Sequence, residues 1–284
     1  MRSIDRIAAE NLATWQQAAQ ENRELRMLQA AAWGRSSAEA LLQGTRQELL
    51  LNAGEPEHAP HALQIDERVA FCSGVLEILP DYNKEIPDLA EVPRAPRVAF
   101  LDGFFSREAM RRFERLLPRA RAVTASSFTA VCEEVAGDNA DFALLPLEDS
   151  REGKLLHLFE EIDRFELQIT HACDIPYPDE GRTVTVGLLS HRYRPTAHVS
   201  GKRMLALSVF EEEPHTLTDL LSVARETGAT LHRVDALPAP YGADGIFYHP
   251  VFCTQESSER LLEVYLSLFM PRTRITGRYI HLTK

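Results

Sequence analysis

The spacing of apolar residues changes at Arg97, and that switch divides the chain into a helical part and a part built on strands. Ile4, Ile7, Leu12, Trp15, Ala19, Leu25 and Leu28 follow the helical period, with no proline or glycine before Gly34. This predicts one long helix over about residues 3–33, ended by Gly34. Ser36 or Ser37 can cap a second helix reaching about Asn52, with Gly54 just past its end. Leu63, Val69, Val75, Leu76 and Leu79 form the stripe of a third, from about Ala62 to Leu79. Such helices need one another or a second copy, because an isolated amphipathic helix is marginal in water. Pro80, Pro87, Pro93 and Pro96 then punctuate a domain boundary.

From Arg97 onward short apolar runs alternate with amphipathic stretches. VAFL, ARAVTA, DFALLPL and FELQITHA read as strands, and SREAMRRFERLL, SFTAVCEEVA and KLLHLFEEIDR as the helices between them. Strands separated by helices predict an α/β lobe with a mostly parallel sheet and a binding edge at the strand carboxyl ends. A second boundary lies between Asp174 and Arg203, around the strand-like TVTVGLL. Beyond it MLALSVF, a helix, TLHRVDAL, IFYHPVFC, a helix and ITGRYIHL follow in the βαββαβ order of a ferredoxin-like split. The expected organisation is a three-helix all-α domain over 1–92, an α/β lobe over 97–192 and a ferredoxin-like domain over 203–284.

A net charge of −11 argues against nucleic acid and acidic membrane surfaces as general partners. The start MRSIDRIAAENLATW is too charged for a secretory signal or anchor, and no later run has the length of a spanning helix. Cys72, Cys132, Cys173 and Cys253 lie far apart and read as free thiols, which suits the cytoplasm. His58 and His61 have H-x-x-H spacing in a proline-containing loop without a third ligand nearby, so no metal or cofactor is expected. Lysine occurs only at 84, 154, 202 and 284, so anion binding is expected to rely on arginine.

The stretch Ser126 to Gly153 opens with Ser-Phe on a helix and closes with Pro146, Leu147, Glu148, Asp149, Ser150, Arg151, Glu152 and Gly153. It resembles the prephenate dehydratase family, whose matching strand ends in Pro-Ile-Glu-Asn-Ser-x-x-Gly. Asp102-Gly103-Phe104-Phe105-Ser106 is similar to a shortened form of that family's first loop, and the resemblance runs from about Arg97 to Cys173. It implies the conversion of prephenate to phenylpyruvate, carbon dioxide and water. Aromatisation drives that reaction, so the protein's work is positioning and electrostatic.

Carried onto this sequence, the resemblance implies catalytic roles for Ser106, Ser127, Asp149, Ser150 and Thr183. Read from the residues alone, the three serines can simply cap helices. The family's Thr-Arg-Phe is absent, and the nearest stretch is Arg182-Thr183-Val184-Thr185. The segment between Asp174 and Met204 is too short for the family's second lobe, and Asp149 replaces an asparagine. Catalysis is therefore expected to be impaired or lost, with aromatic metabolite binding retained.

The βαββαβ end, closing on Thr276-Gly277-Arg278-Tyr279, resembles the ACT regulatory domain of the same family. That resemblance implies an effector site at Pro214, His215, Thr216, Leu217, Asp235 and Pro238. The N-terminal helices are similar in order to the small helical chorismate mutases of bifunctional P-proteins, with Thr45-Arg46-Gln47-Glu48 as the nearest match. The implied partners are prephenate or an aromatic amino acid, and a second copy joined through the ACT and helical parts. The alternatives are a non-catalytic ACT-containing sensor or scaffold of the aromatic pathway and, less so, a chorismate mutase.

Overall fold

The computed structural model describes residues 2–43, 63–82, 92–151, 153–178, 181–193, 199–211, 215–238 and 245–283. Two compact units emerge, one formed by residues 1–84, 218–228 and 257–271, the other by 85–217, 229–256 and 272–284.

In the first unit, α1 runs from Arg2 to Leu42 without interruption and α2 from Ile65 to Ile78. The expected break at Gly34 does not occur. The described residues hold two N-terminal helices, and Thr45–Glu48, His58 and His61 lie outside them. The reason is packing: a Cβ on Gly34 would stand 2.1 Å from the Phe71 carbonyl oxygen, and one on Gly74 2.0 Å from that of Ala31. Both glycines therefore mark where the backbones of α1 and α2 touch, and Gly34 gives up helix propensity for that approach. Arg23 and Arg26 pair with Asp66 and Glu67 at the start of α2, and Trp33 packs edge-on against Phe71. Helices α6 (Thr216–Glu226) and α7 (Glu256–Phe269) contribute to this unit, where Arg260 donates to the Pro80 and Tyr82 carbonyls just beyond α2.

The second unit is one sheet. Strands β1 (Arg97–Leu101), β2 (Arg121–Ala125), β3 (Phe142–Asp149), β4 (Gly153–Lys154), β5 (Gln168–Pro176), β6 (Thr183–Ser190), β7 (Gly201–Phe210), β8 (Thr230–Pro238), β9 (Ile246–Cys253) and β10 (Arg274–Leu282) belong to it. The order is β2-β1-β3-β6-β5-β10-β7-β9-β8, with β4 paired to β3. Helices α3 (Phe104–Phe113), α4 (Phe128–Ala136) and α5 (Leu156–Arg164) connect the early strands.

The expectation of a mostly parallel sheet is corrected. Only β2-β1-β3 and β5-β10 pair in parallel, and the other contacts are antiparallel. The short connection between Pro176 and Thr183 allows only an antiparallel return, so β5 and β6 form a hairpin that enters the sheet beside β3. The last four strands take the order β10-β7-β9-β8, all antiparallel, as a ferredoxin-like βαββαβ arrangement requires. The sheet runs on from the earlier strands into these four, because β10 adds directly onto β5.

Each sheet face has its own core. One contains Val98, Phe100, Phe142, Leu144, Val184, Val186 and Leu188 with Phe113 of α3. The other contains Ala143, Leu145, Leu147, Ile169, Met204, Ala206, Val251 and Tyr279 with Phe159 of α5. Residues far apart in strand order share this second core. Arg233 of β8 pairs with Glu148 of β3, and Phe159 lies 6.3 Å, ring to ring, from His249 of β9. The right-handed twist of a long sheet brings such strands round toward one another, and the space left between them is the cavity described next.

Candidate functional site

A cavity of about 450 Å3 opens on the Leu147 face of the sheet. Its apolar wall is Leu147, Phe159, Ile169, Met204, Ala206 and Val251. Its polar lining includes Glu148, Ser150, Asp174, Thr183, Thr185, Lys202, His232, Arg233 and His281, with Arg112 from α3.

The strand alternation explains this lining. Thr183 and Thr185 are two apart on β6, Lys202, Met204 and Ala206 alternate on β7, and Tyr279 and His281 are two apart on β10. Side chains two apart point to the same face. Asp174 accepts hydrogen bonds from Thr185 Oγ1 at 2.7 Å and His281 Nε2 at 3.1 Å. The His281 contact, helped by Thr185, holds the Asp174 carboxyl below the usual carboxylate range against the opposing effect of burial. Burial pushes the Tyr279 phenol up, so it stays neutral. The other carboxylate of the lining, Glu148, is paired with Arg233, which also holds Asp235 at 2.6 Å. Among the described residues Arg112 and Lys202 have no ion-pair partner, which leaves the cavity with positive charge to offer.

The residues singled out from sequence meet different fates. Ser106 sits inside α3 and donates to the Leu101 carbonyl at 2.7 Å, tying the helix to the end of β1. Ser127 is the N-cap of α4, accepting from the Ala130 N–H at 3.1 Å. Neither lines the cavity. Ser150 and Thr183 do, and they are joined to each other: the Thr183 N–H donates to Ser150 Oγ at 2.9 Å, and the Ser150 N–H donates to the Thr183 carbonyl.

Asp149 is buried and turned away from solvent. Its carboxylate accepts from Arg182 Nε at 2.7 and 2.8 Å, pairs with Arg182 Nη2 at 2.5 Å, and accepts the Arg151 N–H at 2.9 Å. The charge that replaces the family's asparagine is thus matched within the fold. Arg182 in turn lies over the Tyr177 ring, 4.7 Å from its centroid.

On the effector side, Pro214 lies outside the described residues. His215 is exposed before α6, Thr216 and Leu217 begin that helix, and Pro238 ends β8. None of these described residues lines the cavity, and Asp235 is held by Arg233. Burial raises the Cys132 and Cys173 thiols to about 12, which removes them as nucleophiles at neutral pH.

Residues 99–176, which supply Leu147, Glu148, Phe159, Ile169 and Asp174 to this cavity, match the family model described as prephenate dehydratase. The chain carries a prephenate dehydratase-family segment. Solved structures of the same fold extend that likeness beyond the segment. The chain is similar to prephenate dehydratase from Streptococcus mutans, with a TM-score of 0.57 and 19% identity over 66% of this chain and 100% of the other. It is also similar to the prephenate dehydratase of Arthrobacter aurescens in complex with L-Phe, with a TM-score of 0.51 and 16% identity over 65% of this chain and 90% of the other. A protein described as a novel type of quorum-quenching acylase shares the fold too, with a TM-score of 0.50 and 17% identity over 65% of this chain and 94% of its own. No curated protein matches. At these identities the neighbours establish a dehydratase-like fold, and the acylase among them is a reminder that function must be argued from the site. No helix among the described residues is long and apolar enough to cross a membrane.

Proposed function

We propose that this protein is a member of the prephenate dehydratase family, acting in aromatic amino acid biosynthesis, that binds a carboxylated aromatic metabolite and has lost most or all of the family's dehydratase activity. The observation that carries this reading is the division among the five candidate catalytic residues. Ser106 and Ser127 bond backbone groups away from the cavity and Asp149 is committed to Arg182, whereas Ser150 and Thr183, bonded to each other, line a cavity with an apolar wall and two cations that have no ion pair among the described residues. Elimination from prephenate needs a proton donor at the ring hydroxyl and a desolvated seat for the departing carboxylate. The cavity offers the seat, but of the stretch nearest to the family's Thr-Arg-Phe only Thr183 and Thr185 line it, while Arg182 is held by Asp149.

The βαββαβ strands support an ACT-like C-terminal part, here continuous with the dehydratase-like sheet. A homodimer is supported by α1. Its 41 residues span roughly 60 Å at 1.5 Å per residue. Leu12, Trp15, Leu25 and Leu28 are exposed along it, Trp15 to 76%. Apolar residues left uncovered on a helix favour a partner, and sedimentation of Trp15→Glu against the wild type tests whether that partner is a second copy.

The test of function is phenylpyruvate formation from prephenate beside a no-protein control, paired with thermal shift in prephenate, phenylpyruvate and phenylalanine. The reading expects shifts without turnover. Turnover in proportion to protein would make the chain an active dehydratase, and neither shift nor turnover would leave a scaffold.

A further inference from the structure

We propose that Lys202 and His281, both outside the dehydratase-family segment, form the seat for the ligand's carboxylate, with Asp174 as the residue that positions His281. The inference rests on the binding reading above and names the residues that would carry it.

Three neighbouring strands set the geometry. His281 on β10 is the cross-strand partner of Lys202 on β7 and, on its other side, of Ala172 on β5. Cross-strand partners share a face with Cβ atoms about 4.5–5.5 Å apart, so Lys202 and His281 start from neighbouring positions on the cavity face. Asp174 lies two residues beyond Ala172 on β5, and its Oδ1 accepts from His281 Nε2 at 3.1 Å and from Thr185 Oγ1 at 2.7 Å. The row therefore runs acid, imidazole, ammonium across β5, β10 and β7, and because His281 gives its Nε2–H to Asp174 it can donate to a ligand carboxylate only through Nδ1–H, as an imidazolium held by that acid. Its acid is already partnered at one end, and its ammonium has no ion pair among the described residues at the other.

Charge matching across the whole cavity gives the same answer. Glu148 shares Arg233 with Asp235, and Asp174 is held by His281 and Thr185. Lys202 and Arg112 remain, with His232 of β8 facing Asp174 electrostatically. Lys202 is exposed while the apolar wall of Phe159, Met204 and Val251 is buried, so an anion held at Lys202 leaves its ring to that wall. The ligand chemistry that satisfies both parts is a six-membered carbocycle bearing a carboxylate. Arg112 at the rim can serve a second carboxylate where one is present.

The consequence is a composite site. One wall comes from β3, β5, β6 and α5, and its anion seat comes from the strands of the ferredoxin-like part. One part cannot bind without the other.

Calorimetric titration of the full chain with phenylpyruvate, 3-phenylpropionate and benzyl alcohol tests this, using wild type, Lys202→Gln, Lys202→Arg, His281→Gln and Asp174→Asn. The wild type is expected to bind the two carboxylates and to prefer them at least tenfold over the alcohol. Lys202→Gln and His281→Gln should each lose at least tenfold for the carboxylates with no change for the alcohol, and Lys202→Arg should retain binding. Asp174→Asn should lose less than either. Unfolding curves check that each variant is folded, which exposed Lys202 makes a mild demand. Carboxylate binding by the wild type that Lys202→Gln and His281→Gln leave within twofold would overturn the seat while the binding reading stands. A wild type that binds neither carboxylate would overturn both.

Discussion

Removing Arg182 should destabilise the protein more than any other change near the cavity. Asp149 is 3% exposed, and its carboxylate receives Nε and Nη2 of Arg182 at 2.5–2.8 Å. Arg182→Met keeps the apolar stem over Tyr177 but leaves a buried carboxylate without its cation. Breaking one side of such a pair costs about 3–5 kcal/mol. For a chain of this size each kcal/mol moves Tm by roughly 2–4 °C, so a fall on the order of 6–20 °C is expected. Asp149→Asn restores the residue of the family motif and removes the charge that needed compensation. The double variant Asp149→Asn, Arg182→Met should therefore recover most of the loss, giving a coupling energy of at least ~2 kcal/mol in a double-mutant cycle. Thermal and urea unfolding of the four proteins measure this. An Arg182→Met protein within about 0.5 kcal/mol of wild type, or a double variant no better than the single, would refute the reasoning.

Further outcomes follow from other contacts. Gly34→Ala should cost about 1–3 kcal/mol, because its Cβ would stand 2.1 Å from the Phe71 oxygen and the overlap exceeds the ~1 kcal/mol gained in helix propensity; urea unfolding that shows a gain would mean that the two backbones do not touch there. The folded Asp174 carboxyl lies below its unfolded value, so its pairing with His281 contributes stability that is present above about pH 4 and lost as pH falls through the folded value. Urea midpoints of wild type and Asp174→Asn should differ at pH 5 and draw together as the pH falls below about 4, and a gap that widens on acidification would contradict the assignment. Ser106→Ala should lose about 1 kcal/mol with the hydrogen bond to the Leu101 carbonyl, yet leave carboxylate affinity unchanged by calorimetry.

Much of the architecture is legible in the residues themselves. The alternation of VAFL, ARAVTA and DFALLPL with amphipathic stretches locates β1–β3 and their helices, and the strands from MLALSVF to ITGRYIHL fall in the βαββαβ order. Local pattern does not carry pairing direction. TVTVGLL reads as a strand, but that it folds back on β5 and enters beside β3 depends on the short turn and on burial of both its faces. Gly34 misleads for a related reason: a glycine that ends a helix and one that admits a neighbouring backbone look alike until α2 is seen across from it.

The site divides in the same way. The family motif leads to Ser150 and Thr183, which line the cavity, and equally to Ser106, Ser127 and Asp149, whose partners lie elsewhere. Lys202, His232, Asp174, Thr185 and His281 come from five strands. The signal they leave is only a polar residue two positions from another cavity-facing residue, as in Thr183/Thr185 and Tyr279/His281. Nothing in a linear pattern joins β5 to β10; the sheet order does.

The cavity is expected to bind an aromatic-pathway carboxylate without converting it. Titrating prephenate into the full chain by calorimetry, while following phenylpyruvate in the same cell, tests it most directly. The account predicts saturable binding, with phenylpyruvate appearing no faster than in a protein-free control. Phenylpyruvate formed in proportion to protein, or no binding heat at all, would contradict it.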